Sequence, residues 1–402
     1  MNSVVRQMWE QNTDVVMVDT GNSYEGLCEY VGGKYISYTD EHPITMNPFA
    51  IKREELNIEK IGFLKNLVML IWKGTQGEVT KTEDRLIEQV ITEYFDEYFM
   101  KKQIENLSFN TFYEYSTVRI PQIIKENNLA GIDLAAYNYL LKDFYKGGSH
   151  ELTLNENLDT KLFDETFIVF EIDSIKDDPL LFPLVTLIIM DVFIQKMRIK
   201  KNRKVLVIEE AWKAIASPMM AEYIKYLYKT ARKFWASVGV VTQEIQDIVG
   251  SPIVKEAIIN NSDIVMLLDQ SKFRERFDEI KAILGLTDVD CKKIFTINRL
   301  ENKEGRSFFR EVFIRRGSVG GVFGVEEPHE CYMTYTTERA EKEALKLYKK
   351  ELQCDHQHAI EAYCRDWELS GITKSLPFAQ KVNQAGHVLR LKPKQEKGLN
   401  RL

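Results

Sequence analysis

Val15-Val16-Met17-Val18 is an unbroken apolar run that stops on Asp19, and runs of the same kind return at Phe167 to Phe170, Val205 to Ile208, Val238 to Val241 and Ile264 to Leu268. A strand with one wet face alternates apolar and polar residues. A run without alternation belongs to a strand covered on both faces, as in a parallel sheet. Helical segments, notably Leu180 to Arg198 and Met219 to Phe234, separate the later runs. Alternating buried strands and helices predict a doubly wound α/β domain. Such sheets bind ligands beyond the carboxyl ends of their strands, so the residues just after each run carry the functional argument.

Between the first run and the rest, the periodicity changes. Val4, Val5, Met8 and Trp9 share a helical face before the first strand, and Lys34 to Tyr38 is a second, short strand. From about 51 to 158, Ile58, Ile61, Leu64, Leu67, Val68 and Ile71 recur at helical spacing up to Gly74. A second stripe follows over Leu86 to Phe99, with Thr82 as its expected N-cap, and a third runs from Leu134 to Tyr145 before Gly147-Gly148. These stripes read as the core of an all-helical insertion. After Phe308 the chain becomes β with Gly317 and Gly320-Gly321 at turns, then charged helix from about Thr337 to Glu368, then a tail carrying Lys392, Lys394, Lys397 and Arg401. The expected division is 1–50 and 161–336 for the α/β core, 51–160 for the insertion and 337–402 for a C-terminal helix and tail.

Composition narrows the class. The 402 residues are 44% hydrophobic and 28% charged, the balance of a soluble globular chain. Lys plus Arg total 54 against 60 Asp plus Glu, a net charge of −6, so any nucleic-acid contact has to be a local patch. The strongest apolar stretch, Leu180 to Met190, is about half of a membrane span and holds Pro183. Arg6, Glu10 and Asp14 stand where a signal peptide would be apolar. Cys28, Cys291, Cys331, Cys354 and Cys364 show no paired spacing, which predicts reduced thiols and a cytoplasmic chain.

Chemistry is concentrated after two of the runs. Val205 to Ile208 leads directly into Glu209-Glu210-Ala211-Trp212. Two carboxylates at the end of a buried strand are costly without a cation or waters to use them. In a phosphate-hydrolysing site one such acid holds magnesium through its water shell and the other orients the attacking water. The same pair also suits the first turn of a helix. Downstream, Arg232-Lys233 closes a helix, and the strand Val238 to Val241 ends on Thr242-Gln243. A Gln there can position the γ-phosphate and its water, and an Arg on the preceding helix can act as an arginine finger on a neighbouring subunit's nucleotide. A basic helix end is the plainer alternative for Arg232-Lys233. Asp19, at the end of its own strand, is either a polar group near the nucleotide or part of a plain turn. The acids, the guanidinium and the amide are expected to converge on one pocket.

Val205 to Trp212, Arg232-Lys233 and Thr242-Gln243 together resemble the Walker B and following motifs of the VirB-type and TraG-type conjugation ATPases that power type IV secretion. Asp14 to Tyr24 (DVVMVDTGNSY) and Gly32 to Phe49 resemble TraG proteins of conjugative transposons in particular. The resemblance covers nearly the whole chain. It implies a RecA-like P-loop NTPase core with a mostly parallel sheet and an all-α insertion, Mg–ATP hydrolysis and a homo-hexamer. Its partners are channel proteins of the conjugation machinery, at the periphery of the inner membrane, and its transported substrate is DNA or protein. By this resemblance Glu209 is the metal-side acid, Glu210 the catalytic acid, Arg232 the finger and Gln243 the sensor. Asp19, Lys233, Thr242 and Arg310 lie near the nucleotide, with Arg315 and Arg316 in a further basic region. A DNA-pumping ATPase of the coupling-protein or FtsK kind shares this core.

One departure counts against turnover. No G-x-x-x-x-G-K-[ST] occurs in the chain: Gly33-Lys34 is followed by Tyr35, and Gly147-Gly148 by Ser149-His150. The family places its phosphate loop before a helix leading into the strand that ends at Asp19, and the chain opens within such a helix. The expectation is a motor domain cut just downstream of its loop, binding ATP weakly or not at all, or a non-catalytic assembly module of the same machinery. Two further signals are weaker. Arg198, Lys200, Lys201, Arg203 and Lys204 form a basic run that is either a nucleic-acid contact or a solvated loop. Cys354, His356, His358 and Cys364 offer zinc-type ligands, but His356 falls off the helical face shared by Cys354 and His358.

Overall fold

The structure is a computed structural model that describes residues 1–102, 106–157, 160–210, 218–242, 258–299 and 309–391. In chain order its principal elements are α1 (Asn2–Glu10), β1 (Thr13–Asp19), α2 (Glu25–Tyr30), β2 (Lys34–Ser37), α3 (Ile58–Lys73), α4 (Lys81–Phe95), α5 (Phe109–Asn127), α6 (Leu134–Leu141), α7 (Glu151–Asn155), β3 (Phe167–Glu171), α8 (Leu181–Ile199), β4 (Arg203–Ile208), α9 (Pro218–Thr230) and β5 (Ala236–Val240). There follow β6 (Ile264–Leu267), α10 (Phe277–Leu284), α11 (Asp288–Ile294), β7 (Phe309–Arg316), β8 (Val319–Glu326), α12 (His329–Tyr335), α13 (Arg339–Leu352), α14 (His356–Ser370) and α15 (Ser375–Ala385). The chain forms two compact units, one of Met8–Gly21 with Lys34–Asn261, the other of Met1–Gln7, Asn22–Gly33 and Ser262–Leu402.

The first unit is built on a five-stranded sheet of order β2-β3-β1-β4-β5, parallel at every pairing. Every residue of β1 and of β3 is buried, as their non-alternating sequences require. Helix α8 is apolar around almost its whole circumference because it touches β1 and β4 on one side and α3 on the other. Two buried ion pairs fix it. Lys196 Nζ meets Asp14 at 2.9 Å, beside the start of β1, and Lys60 Nζ of α3 meets Asp191 at 2.8 Å.

The connection from β2 to β3 is helical throughout its main elements, α3 to α7. Its aromatic stripes face one another: Phe49 stacks on Phe112 with ring centres 4.8 Å apart, and Tyr94 meets Phe112 edge-on at 5.5 Å. Helix α3 ends where expected, on Gly74 with φ of 66°. The cap of α4 differs from the sequence expectation. It is Thr80, whose hydroxyl accepts from Glu83 N at 3.2 Å while the Glu83 carboxylate accepts from Thr80 N at 2.9 Å. Thr82 lies inside the first turn. The reciprocal box selects Thr80 because only it stands three residues before a Glu.

In the second unit β6, β7 and β8 form an antiparallel sheet. The sequence expectation placed Ile264 to Leu268 among the parallel strands. Its exposure alternates residue by residue, the mark of a strand with one covered face, and its partner is β7. Gly317 makes the β7–β8 turn with φ of 58°, but Gly320 and Gly321 lie within β8. A Cβ on Gly320 would come within 2.6 Å of the Phe313 ring and 2.8 Å of the Asp290 carboxylate, so close packing explains that glycine. The charged helix expected to run from 337 to 368 is two helices. Gln353 turns left-handed with φ of 50°, and Asp355 caps α14 by accepting from His358 N at 2.9 Å. Helices α12 to α15 enclose a separate apolar core around Tyr348, Tyr363, Trp367 and Phe378. Among the described residues no helix is long and apolar enough to cross a membrane.

Candidate nucleotide site at the carboxyl edge of the sheet

A parallel sheet brings all its strand ends to one edge, and three neighbouring strands end here on acids. Asp19 of β1 is the register partner of Glu171 of β3. On the other side Val18 pairs with Ile208 of β4, and Glu209 N donates to Val18 O at 3.0 Å, so Glu209 emerges beside Asp19. Asp19 is 1% exposed and Glu171 3%, whereas Glu209 and Glu210 are half-buried. Sequence reasoning missed Glu171. The signal was present, because Phe167 to Phe170 runs into Glu171 just as Val15 to Val18 runs into Asp19. Its carboxylate accepts from Tyr35 OH at 3.2 Å and from Asp173 N at 2.8 Å, which fixes its direction.

Glu210 has φ of 47°, a left-handed conformation that costs a non-glycine residue about 1–3 kcal/mol and is found preferentially at functional sites. Lys176 lies within the field of the same edge: its ammonium pKa is raised first by the hydrogen bond to Asp173 and then by charge, with smaller contributions from Asp177 and Glu210. On β5, Val241 N donates to Ile208 O at 3.0 Å, which carries the ladder to the edge and delivers Thr242 there. Gln243, Ala211 and Trp212 lie outside the described residues.

The expected convergence of Arg232 with the acids is not met within one chain. Arg232 and Lys233 are exposed in the short turn Ala231–Phe234 that leads into β5. Phe234 O accepts from the ammonium of Lys204, the second residue of β4, at 3.0 Å, which marks this as the amino edge. The reason is topological. A crossover helix between parallel strands must return the chain to the amino edge, so the residues closing α9 lie a strand length, roughly 17 Å, from Thr242. Arg310 belongs to the other unit, at the start of β7, where its guanidinium donates to Phe309 O at 2.8 Å. In that unit Arg315 donates to Gly285 O at 2.9 Å, and Arg316 ends the strand.

The remaining candidates resolve into structural roles. In the basic run, Arg198 pairs with Glu59, Lys200 with Asp164 at 2.6 Å, and Lys204 is buried with its pKa pushed down by that burial, so the run is not an open cationic stripe. His358 Nδ1 lies 2.7 Å from Asp355, His356 Nδ1 lies 3.3 Å from Glu29, and the Cys364 thiol is buried and pushed well up by desolvation. Among the described residues no three His, Cys, Asp or Glu side chains are grouped to hold a metal directly.

The family's magnesium–triphosphate needs two sets of donors. The metal-and-water set matches the carboxylates on β1 and β4, with Glu209 able to act through water rather than as one of several direct ligands. The phosphate set, a glycine-rich turn of backbone N–H groups and a Lys, has no matching motif in the 402 residues.

A family model described as the TraG P-loop domain matches residues 1–367. The chain belongs to the TraG P-loop family. The protein TraC of Escherichia coli (strain K12) is 22% identical over 297 residues, covering 69% of this chain and 31% of TraC. The chain thus spans about a third of the length of that curated relative. VirB4 of Thermoanaerobacter pseudethanolicus shares the fold with a TM-score of 0.60 at 18% identity, over 81% of this chain and 85% of that one. The bacterial conjugative coupling protein TrwB, in complex with sulphate, gives 0.52 at 12% identity over 81% and 80%. TrwB in complex with ADP and Mg2+ gives 0.50 at 12% identity over the same shares. These likenesses establish the RecA-like P-loop fold of the TraG family member described here.

Proposed function

We propose that this chain supplies the acid half of the motor site of a conjugation ATPase. The observation that carries the reading is the row of Glu171, Asp19 and Glu209 on adjacent strand ends, at the edge where a parallel sheet receives its ligand. Glu209 holds magnesium through water, Glu210 orients the attacking water, and Asp19 and Thr242 border the nucleotide, with Gln243 as phosphate sensor. Arg232, at the opposite edge with Lys233, serves only a neighbouring subunit's nucleotide, so the reading includes a homo-hexameric ring. ATP and Mg are the family's cofactors, and the TrwB complex with ADP and Mg2+ supports that choice. The partners are type IV secretion channel proteins at the inner membrane, and the work is transfer of DNA or protein.

The polypeptide alone lacks the phosphate-side donors, so it binds ATP weakly and does not turn it over. Phosphate release with Mg–ATP tests this. The expected result is a background rate that Glu210→Gln leaves unchanged. Magnesium-dependent release abolished by Glu210→Gln would show that phosphate-side donors are present after all. The same missing motif favours a second reading, a non-catalytic assembly module. A chain that captures channel proteins equally well as wild type and as Glu209→Gln, with or without nucleotide, supports that second reading over the first.

A further inference from the structure

A cleft in the unit of β6 to β8 has no place in the reading above. Its volume is about 560 Å3, and Arg274, Asp288, Lys292, Phe295, Thr296 and Arg299 line it. Its charge is one-sided. Asp288, the one acid in the lining, is already taken by Lys281 at 2.6 Å. The side chains of Arg274, Lys292 and Arg299 make no ion pair among the described residues; Lys292 and Arg299 feel Asp288 and Asp269 only through space. Three cations without close counter-ions repel one another, and they do so in a chain whose net charge is −6. An anion in the cleft would relieve that repulsion, and two forked guanidinium groups match phosphate oxygens.

The cleft is also aromatic. The Arg274 guanidinium stands 4.9 Å over the Phe295 ring, and Phe277 braces that ring edge-on with centres 4.8 Å apart. Arg274 is exposed, so a base that takes its place over the half-buried Phe295 ring leaves the guanidinium free to turn to a phosphate. Cations that track phosphate and a ring that stacks a base are the two parts of a single-strand nucleic-acid site. We propose that this cleft binds a nucleotide unit, its phosphate held by Arg274, Lys292 and Arg299 and its base against Phe295. The unit comes from a single-stranded nucleic acid or from a free nucleotide.

Fluorescence anisotropy of the full chain with a labelled oligothymidylate, across a range of KCl concentrations, tests the proposal, with a fluorescent ATP analogue as the second probe. The expected result is binding that weakens with salt, by a logarithmic slope of about −0.7 for each phosphate contacted. Arg274→Ala with Lys292→Ala should weaken it at least tenfold and flatten the slope. Phe295→Leu should weaken it about five- to hundredfold with the slope retained. Lys346→Ala with Lys350→Ala, both exposed on α13, should change nothing. Binding of the ATP analogue alone, with the same dependence on these variants, assigns the site to free nucleotide. Failure of both probes at low salt overturns the proposal. So does binding indifferent to the cleft variants, or displacement by tripolyphosphate as effective as by ATP with no effect of Phe295→Leu. The variants alter exposed or half-exposed side chains, and unchanged thermal unfolding confirms that each is folded.

Discussion

His356 opens α14 with Nδ1 3.3 Å from the Glu29 carboxylate and with Nε2 buried and lacking a hydrogen-bond partner among the described residues. Burial lowers its pKa; Glu29, Glu25 and Asp355 pull it up, and Lys349 adds to the depression. The folded chain therefore binds fewer protons at this ring than the unfolded chain, which protonates near pH 6.5. The stability this difference provides is complete above about pH 6.5 and is lost as pH falls below that value towards the folded pKa. The expected result in thermal unfolding between pH 7.5 and 5.5 is a smaller acid loss for His356→Gln than for wild type. His358, raised by its hydrogen bond to Asp355, has the opposite sign, so His358→Gln should steepen the loss. Equal slopes in all three chains would contradict both assignments. At this scale the sequence was readable wherever local order decides the outcome. Asp19 and Glu209 were legible because each ends an apolar run. Glu171 obeys the same rule and was passed over. The left-handed φ of Glu210 had no sequence signal, since nothing in Glu-Glu-Ala demands it.

Elements were legible where periodicity is strong and less so where the answer depends on what they pack against. The parallel strands and α3 follow from their runs and stripes. The cap of α4 required weighing Thr80 against Thr82, and only the reciprocal bonds with Glu83 decide it. The site of Arg232 needed the crossover rule rather than sequence proximity to Thr242. Nothing local joins Lys60 to Asp191 across 131 positions, yet their bond ties α3 to α8. Their side chains are 8% and 5% exposed, and Gln195 adds a bond to the same Asp191 oxygen at 2.7 Å. Removing one partner leaves a buried charge with too little compensation. Lys60→Met should therefore cost about 3–5 kcal/mol in urea unfolding, and adding Asp191→Leu should recover most of that loss. Additive losses in the double variant would show that the pair is not coupled.

For the whole molecule, family membership and a RecA-like sheet were both available from motifs spaced along the chain, because a parallel sheet gathers residues from distant runs at one edge. The division into units and the antiparallel β6–β8 sheet were not, because they depend on long-range pairing that no short run encodes. At that edge Glu171, Asp19 and Glu209 stand on adjacent strand ends, and the function proposed for them is to face a ligand there. Groups kept for function at the expense of stability become more stable when neutralised without change of shape. Urea unfolding of Asp19→Asn and Glu209→Gln in magnesium-free buffer measures this directly. The expected result is a higher midpoint at unchanged slope for both, corresponding to about 0.5–2 kcal/mol. A midpoint lowered in both variants would mean that the acids are structural supports and that the edge is not a ligand site.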